Sequence, residues 1–151
     1  MIHLQNVKFF QIIKPDALVD AGSFTTVVVD TLGYDYATIV YNVGTTDIAM
    51  SALKVQECAT SGGSYTDISG LDMDGDTDTD GATAVLPVDD DDGDLVAFEI
   101  DLRTRERFLN VIATNGNGTN GGHAACIAIL SRAHDVPVTA TERGVSNVLR
   151  V

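Results

Sequence analysis

Leu95-Val96-Ala97-Phe98-Glu99-Ile100-Asp101-Leu102-Arg103-Thr104-Arg105-Glu106-Arg107-Phe108-Leu109-Asn110-Val111 is the stretch that decides the fold class. In its first half Val96, Phe98, Ile100 and Leu102 share one side, while Glu99 and Asp101 lie on the other. A period of two with one apolar side predicts a strand that buries one face and wets the other. After three arginines the pattern resumes over residues 108–114, a second predicted strand. Neither half carries a catalytic constellation.

Working outward, the same period recurs and helical periodicity is scarce. Residues 7–13, 24–30 and 36–43 read as strands; in the third, Ala37, Ile39, Tyr41 and Val43 share a face. Residues 53–58 follow, with Leu53 and Val55 inward and Lys54 and Gln56 outward, and then the short segment 65–68. Residues 124–130 are small and apolar on both sides, as in a central strand covered on two faces. With 95–102 and 108–114 this makes about eight strands separated by Gly-, Asn- and Asp-rich turns. The expectation is one antiparallel β-sandwich, jelly-roll or immunoglobulin-like, over residues 1–135. Residues 71–94 are an acidic insertion, and 136–151 form an extended C-terminal arm or a last strand.

Composition agrees with one globular domain. The chain has 151 residues, 44% of them hydrophobic, enough for a core without staples. Aromatics are only 6% and Trp is absent, so Val, Ile, Leu and Ala must fill that core. A formal charge of −13 repels phosphate backbones and anionic bilayers, which argues against nucleic-acid and membrane partners. The first residues lack a charged start and an apolar run, so synthesis in a cytoplasm without export is expected. Cys58 and Cys126 fall in apolar strands and read as reduced thiols or as a disulfide.

The loudest local signal is the alternation of Asp72, Asp74, Asp76, Asp78 and Asp80, followed by Asp89, Asp90, Asp91, Asp92 and Asp94. Carboxylates on one loop can wrap a calcium ion. Residues 76–81 match the opening of an EF-hand loop, but its twelfth position is Pro87 and no flanking helices are expected, so an EF-hand is rejected. Two readings stand: a calcium-binding sandwich loop on those five aspartates, or a solvated loop that keeps the protein soluble. Arg103, Arg105 and Arg107 alternate, so in an extended chain they would share a face. Partners for them could be acidic groups of another subunit or of the chain's own acidic loop. Arg143 and Arg150 in the tail are further candidates for an interface. His3, His123 and His134 show no metal-ligand spacing, and no nucleophile elbow or phosphate loop is present. The expectation is a binding protein, not an enzyme.

Several phrases of the chain are similar to a known group. They are Tyr34-Asp35-Tyr36-Ala37-Thr38-Ile39-Val40, Asp47-Ile48-Ala49-Met50-Ser51-Ala52-Leu53-Lys54-Val55-Gln56-Glu57, Arg105-Glu106-Arg107-Phe108-Leu109 and Ile129-Leu130-Ser131-Arg132-Ala133. Pro137 and Thr141-Glu142-Arg143-Gly144 complete them. Together they resemble small β-sandwich proteins of tailed bacteriophages that are linked with head genes and regarded as capsid cement or decoration proteins. The likeness spans most of residues 30–145 and leaves out the acidic insertion. It implies a virion protein on the outer head surface, a homo-oligomer, often a trimer, bridging copies of the major capsid protein after expansion. It transfers no functional residue. The competing expectations are a carbohydrate- or receptor-binding sandwich and a head-fibre or tail component.

Overall fold

The computed structural model describes residues 6–16, 18–137 and 139–149; His3 and Arg150 lie outside them. Eight strands appear: β1 Lys8–Ile13, β2 Val29–Asp30, β3 Tyr34–Val43, β4 Met50–Cys58, β5 Thr66–Asp72, β6 Leu95–Asp101, β7 Phe108–Asn115 and β8 Ala124–Ala133. They form two antiparallel four-stranded sheets with the orders β1-β8-β3-β6 and β2-β7-β4-β5. Strand β1 therefore pairs with β8, β2 with β7, β3 with β6 and β4 with β5. One long hairpin, with its turn after β4, has been wound into two layers. That is the jelly-roll connectivity.

The core lies between the sheets and comes from the expected alternation. Ala37, Ile39, Tyr41 and Val43 of β3 are buried, as are Leu53 and Val55 of β4, Phe98 and Ile100 of β6, and Leu109, Val111 and Ala113 of β7. A register shift between Gln11 and Ile13 lets β1 turn two consecutive residues, Ile12 and Ile13, into this core. Burial raises the Tyr41 phenol well above its ordinary range, so this hydroxyl stays neutral.

Three local expectations are corrected. Residues 24–28 are not a strand. The Phe24 amide donates to Ala113 O of one sheet and the Val27 amide to Ile12 O of the other. This Thr- and Val-rich segment crosses between layers, and ladder pairing is left to Val29 and Asp30. Residues Leu102–Thr104 form a 3-10 turn, capped by the Asp101 carboxylate on the Arg103 amide, so the three arginines do not share an extended face. Strand β8 is buried on its inner face, but no third layer lies over its outer face among the described elements.

Candidate interaction surfaces

The loops at one end of the sandwich are strongly acidic. They hold Asp16, Asp20, Asp47 and the ten acidic residues between positions 72 and 94, against one lysine, Lys14. The insertion is an ordered hairpin: Thr77 bridges Thr83, the Asp78 amide donates to Ala82 O and the Ala84 amide to Asp76 O. Its aspartates largely cap their own turns. Asp72 Oδ1 accepts the Asp74 amide, Asp76 Oδ2 accepts the Asp72 amide, and Asp78 Oδ1 accepts the amides of Asp80 and Ala82. Asp72, Asp74, Asp76, Asp78 and Asp80 thus spread along a hairpin. Among the described residues no three His, Cys, Asp or Glu side chains converge to hold a metal ion.

Two further aspartates tie these loops together. Asp47 Oδ2 accepts the amides of Thr119 and Asn120, each at 2.7 Å, and Asp20 Oδ1 accepts the Gly118 amide at 2.8 Å. The amides of Asn120 and Thr119 hold the Asp47 carboxyl below its ordinary pKa. The glycine- and asparagine-rich loop 116–123 is therefore pinned, not free.

At the opposite end each of the three arginines finds a carboxylate in its own chain, none of them in the acidic insertion. Arg103 forks onto Asp101, with its Nε 2.8 Å from Oδ1. Arg105 reaches Glu57 at 3.2 Å, and Arg107 grips Asp30 with two bonds of 2.8 and 2.7 Å. The Arg103 guanidinium drives the Asp101 carboxyl far below its ordinary pKa, and Arg107 lowers that of Asp30. Arg103 also lies over the Tyr36 ring and Arg107 over Phe108. Arg143 is buried, and its carbonyl accepts the Phe9 amide at 2.8 Å. This contact fastens the turn at residues 139–144 to the outer edge of β1.

The two outer sheet faces differ in chemistry. Outside the β2-β7-β4-β5 sheet polar, mutually bonded groups surround Ile112: Thr26 to Asn110, Ser23 to Thr114, and Lys54 and Gln56 to Asp67. Outside the β1-β8-β3-β6 sheet the register stacks four rows. These are Ser131–Tyr36–Asp101, Phe9–Ile129–Thr38–Glu99, Gln11–Ile127–Val40–Ala97 and Ala125–Asn42–Leu95. Apart from Glu99 and Asp101 these rows carry no charge, and Leu95 is 65% and Ile127 38% exposed.

Arg132 completes the first row in an unusual way. Positions 124, 126, 128 and 130 of β8 point inward and are buried, so regular alternation would drive Arg132 into the core. Its φ of +53° breaks the alternation and places the guanidinium on the outer face, 4.8 Å from the Tyr36 ring centroid. Its side chain has no carboxylate partner among the described residues.

The chain beyond β8 runs back along the β1 edge. His134 Nε2 lies 3.0 Å from Asp35. Next to it an open depression of about 650 Å³ is lined by Lys8, Leu32, Tyr34, Val136, Pro137 and Glu142. Val136 is 53% exposed and Leu149 96% exposed. Cys126 is buried and its thiol is pushed up to about 12, whereas Cys58 is half-buried on the other sheet, and the two are not bonded. No family model, no curated protein and no solved structure matches this chain.

Proposed function

We propose that this chain is a capsid decoration protein, which binds the outside of an expanded bacteriophage head and stabilises contacts between major capsid protein subunits. The observation that carries this reading is the opposition of two edges. The acidic hairpin stands beside the β5/β6 edge, where Asp76, Asp78 and Ala84 border a depression that reaches Ala97 and Glu99. The turn at residues 139–144 lies on the β1 edge, and beyond it Leu149 is almost fully exposed. An exposed apolar side chain of this kind, on the edge away from the carboxylates, is suited to a partner's surface. A dense carboxylate layer on the other side keeps decorated particles apart in solution. The jelly roll itself occurs in capsid and lectin domains alike, so fold alone does not choose.

The mechanism is differential binding. Packed DNA pulls the junctions of the lattice apart, and a ligand that fits only the expanded junction adds its binding energy to that state. Small contributions repeated over a lattice add up through multivalency. The test is sedimentation of purified protein with expanded heads that lack it. Saturation at a fixed ratio to the lattice, with raised heat resistance of the heads, is the expected result. A few copies per head would indicate a fibre or vertex component. No head binding, together with glycan binding, would favour a carbohydrate-binding sandwich and make the proposal wrong.

A further inference from the structure

We infer that Asn117 is a self-modification site: its side-chain amide cyclises onto the Gly118 nitrogen and loses ammonia, with Asp20 as the proton acceptor. This goes beyond the proposed particle binding and does not rest on it. The loop 115–122 contains the pair Asn-Gly three times, at Asn115-Gly116, Asn117-Gly118 and Asn120-Gly121. Cyclisation needs the backbone nitrogen after an asparagine to reach that asparagine's Cγ, and a glycine there has no Cβ to obstruct the approach. By sequence the three pairs are equivalent. The structure separates them.

Asn115 is buried, its Nδ2 donates to Val19 O at 3.0 Å, and the Gly116 amide is engaged by Ala49 O at 3.2 Å. Asn120 is exposed, but its backbone amide and its Nδ2 both donate to Asp47 Oδ2. The Gly121 nitrogen that would attack it has no acceptor among the described residues. Asn117 is exposed, and its side chain makes no hydrogen bond to any described residue. It can turn toward Gly118 without breaking a contact. Gly118 itself is held. Its amide donates to Asp20 Oδ1 at 2.8 Å, and a Cβ at this position would stand 2.1 Å from Asp47 Oδ1. The nucleophile therefore sits with its proton already directed at a carboxylate, the arrangement a general base requires.

In the step the Gly118 nitrogen attacks Asn117 Cγ while Asp20 accepts the amide proton. The N–Cγ bond forms, the Cγ–Nδ2 bond breaks, and the same proton departs on Nδ2 as ammonia. Water then opens the cyclic imide at either carbonyl, leaving an aspartate or an isoaspartate, with no change of oxidation state. Each modified chain gains one carboxylate at an end that is already acidic. An isoaspartate also inserts a carbon into the backbone before Gly118 and so moves its amide off Asp20.

The test is incubation of the purified full chain at neutral pH, with peptide mapping by mass spectrometry and assay of released ammonia. In the folded protein Asn117 should react at least about tenfold faster than Asn115 or Asn120, whose side chains must first give up a hydrogen bond. In urea the three should react at similar rates. Asp20→Asn keeps an oxygen for the Gly118 amide but removes the base, and should slow Asn117 at least about threefold in the folded state only. Its folding is checked by its melting curve. The pH profile of the parent gives a second reading that needs no variant. With Asp20 taking the proton, the rate at Asn117 should rise less steeply from mildly acidic to mildly alkaline pH than the rates in urea. Equal reaction of all three pairs in the folded protein, fastest reaction at Asn115 or Asn120, or no reaction at all overturns the inference. So does an Asp20→Asn chain that reacts as fast as the parent or faster, or a parent profile as steep as that in urea.

Discussion

A single backbone angle at Arg132 determines whether a guanidinium meets the core or the outer sheet face, and at Gly144 another angle holds the tail turn to β1. Gly144 has φ +70°, and a Cβ placed there would stand 1.9 Å from the Phe9 carbonyl oxygen. Gly144→Ala is therefore expected to cost about 2 kcal/mol or to release the turn. Urea titration measures the first outcome and limited proteolysis after residue 137 the second. The thiols offer an independent check. With Cys126 buried and its pKa raised, a thiol reagent at neutral pH should titrate only Cys58 in the folded protein and both cysteines in urea. At this scale the sequence was least legible. The partners of Arg105 and Arg107, Glu57 and Asp30, lie 48 and 77 residues away, and no periodicity links such distant positions. Asp20 and Asp47 give no signal for the same reason: the loop amides they bind lie 98 residues away for Asp20, and 72 and 73 for Asp47.

Elements were far easier to read. Seven of the eight predicted strands stand within a few residues of their places, because alternating burial leaves a direct trace in composition. Residues 24–28 misled because Thr and Val suit a pleated surface even where the backbone bonds alternate between two sheets. The segment 103–107 misled because alternation of charge says nothing of a 3-10 turn set by an Asp cap two residues earlier. The pairs of Arg103 and Arg107 are exposed, and exposed pairs contribute little, whereas Glu57, the partner of Arg105, keeps only 15% of its side chain exposed. Arg103→Ala and Arg107→Ala should each leave the melting temperature within about 3 °C of the parent. A larger drop in calorimetry would mean that these pairs hold the fold itself. If the melts are unchanged, any loss of head binding by these variants reports the interface.

For the whole molecule, the dominant feature is the uneven placing of charge and apolar surface over a symmetrical two-sheet frame. The pH response follows from the carboxyls held low. Arg107 lowers Asp30, the Asn120 and Thr119 amides lower Asp47, Lys54 and Gln56 lower Asp67, and Arg103 lowers Asp101. Each has a folded pKa below the unfolded 3.8, so below about pH 5 the unfolded chain binds more protons than the folded one. Stability from these groups should be constant at neutral pH and fall as acid carries the solution through the folded values. Chemical denaturation at pH 7 and pH 3 checks this; equal midpoints would show that the four contacts are not kept in solution.

The central claim is that this sandwich acts through its surfaces on one state of a lattice, and comparing heads before and after expansion tests it most directly. The protein should saturate expanded heads at a fixed ratio to the capsid subunits and leave unexpanded heads almost bare. Equal occupancy of both, or of neither, would contradict the account.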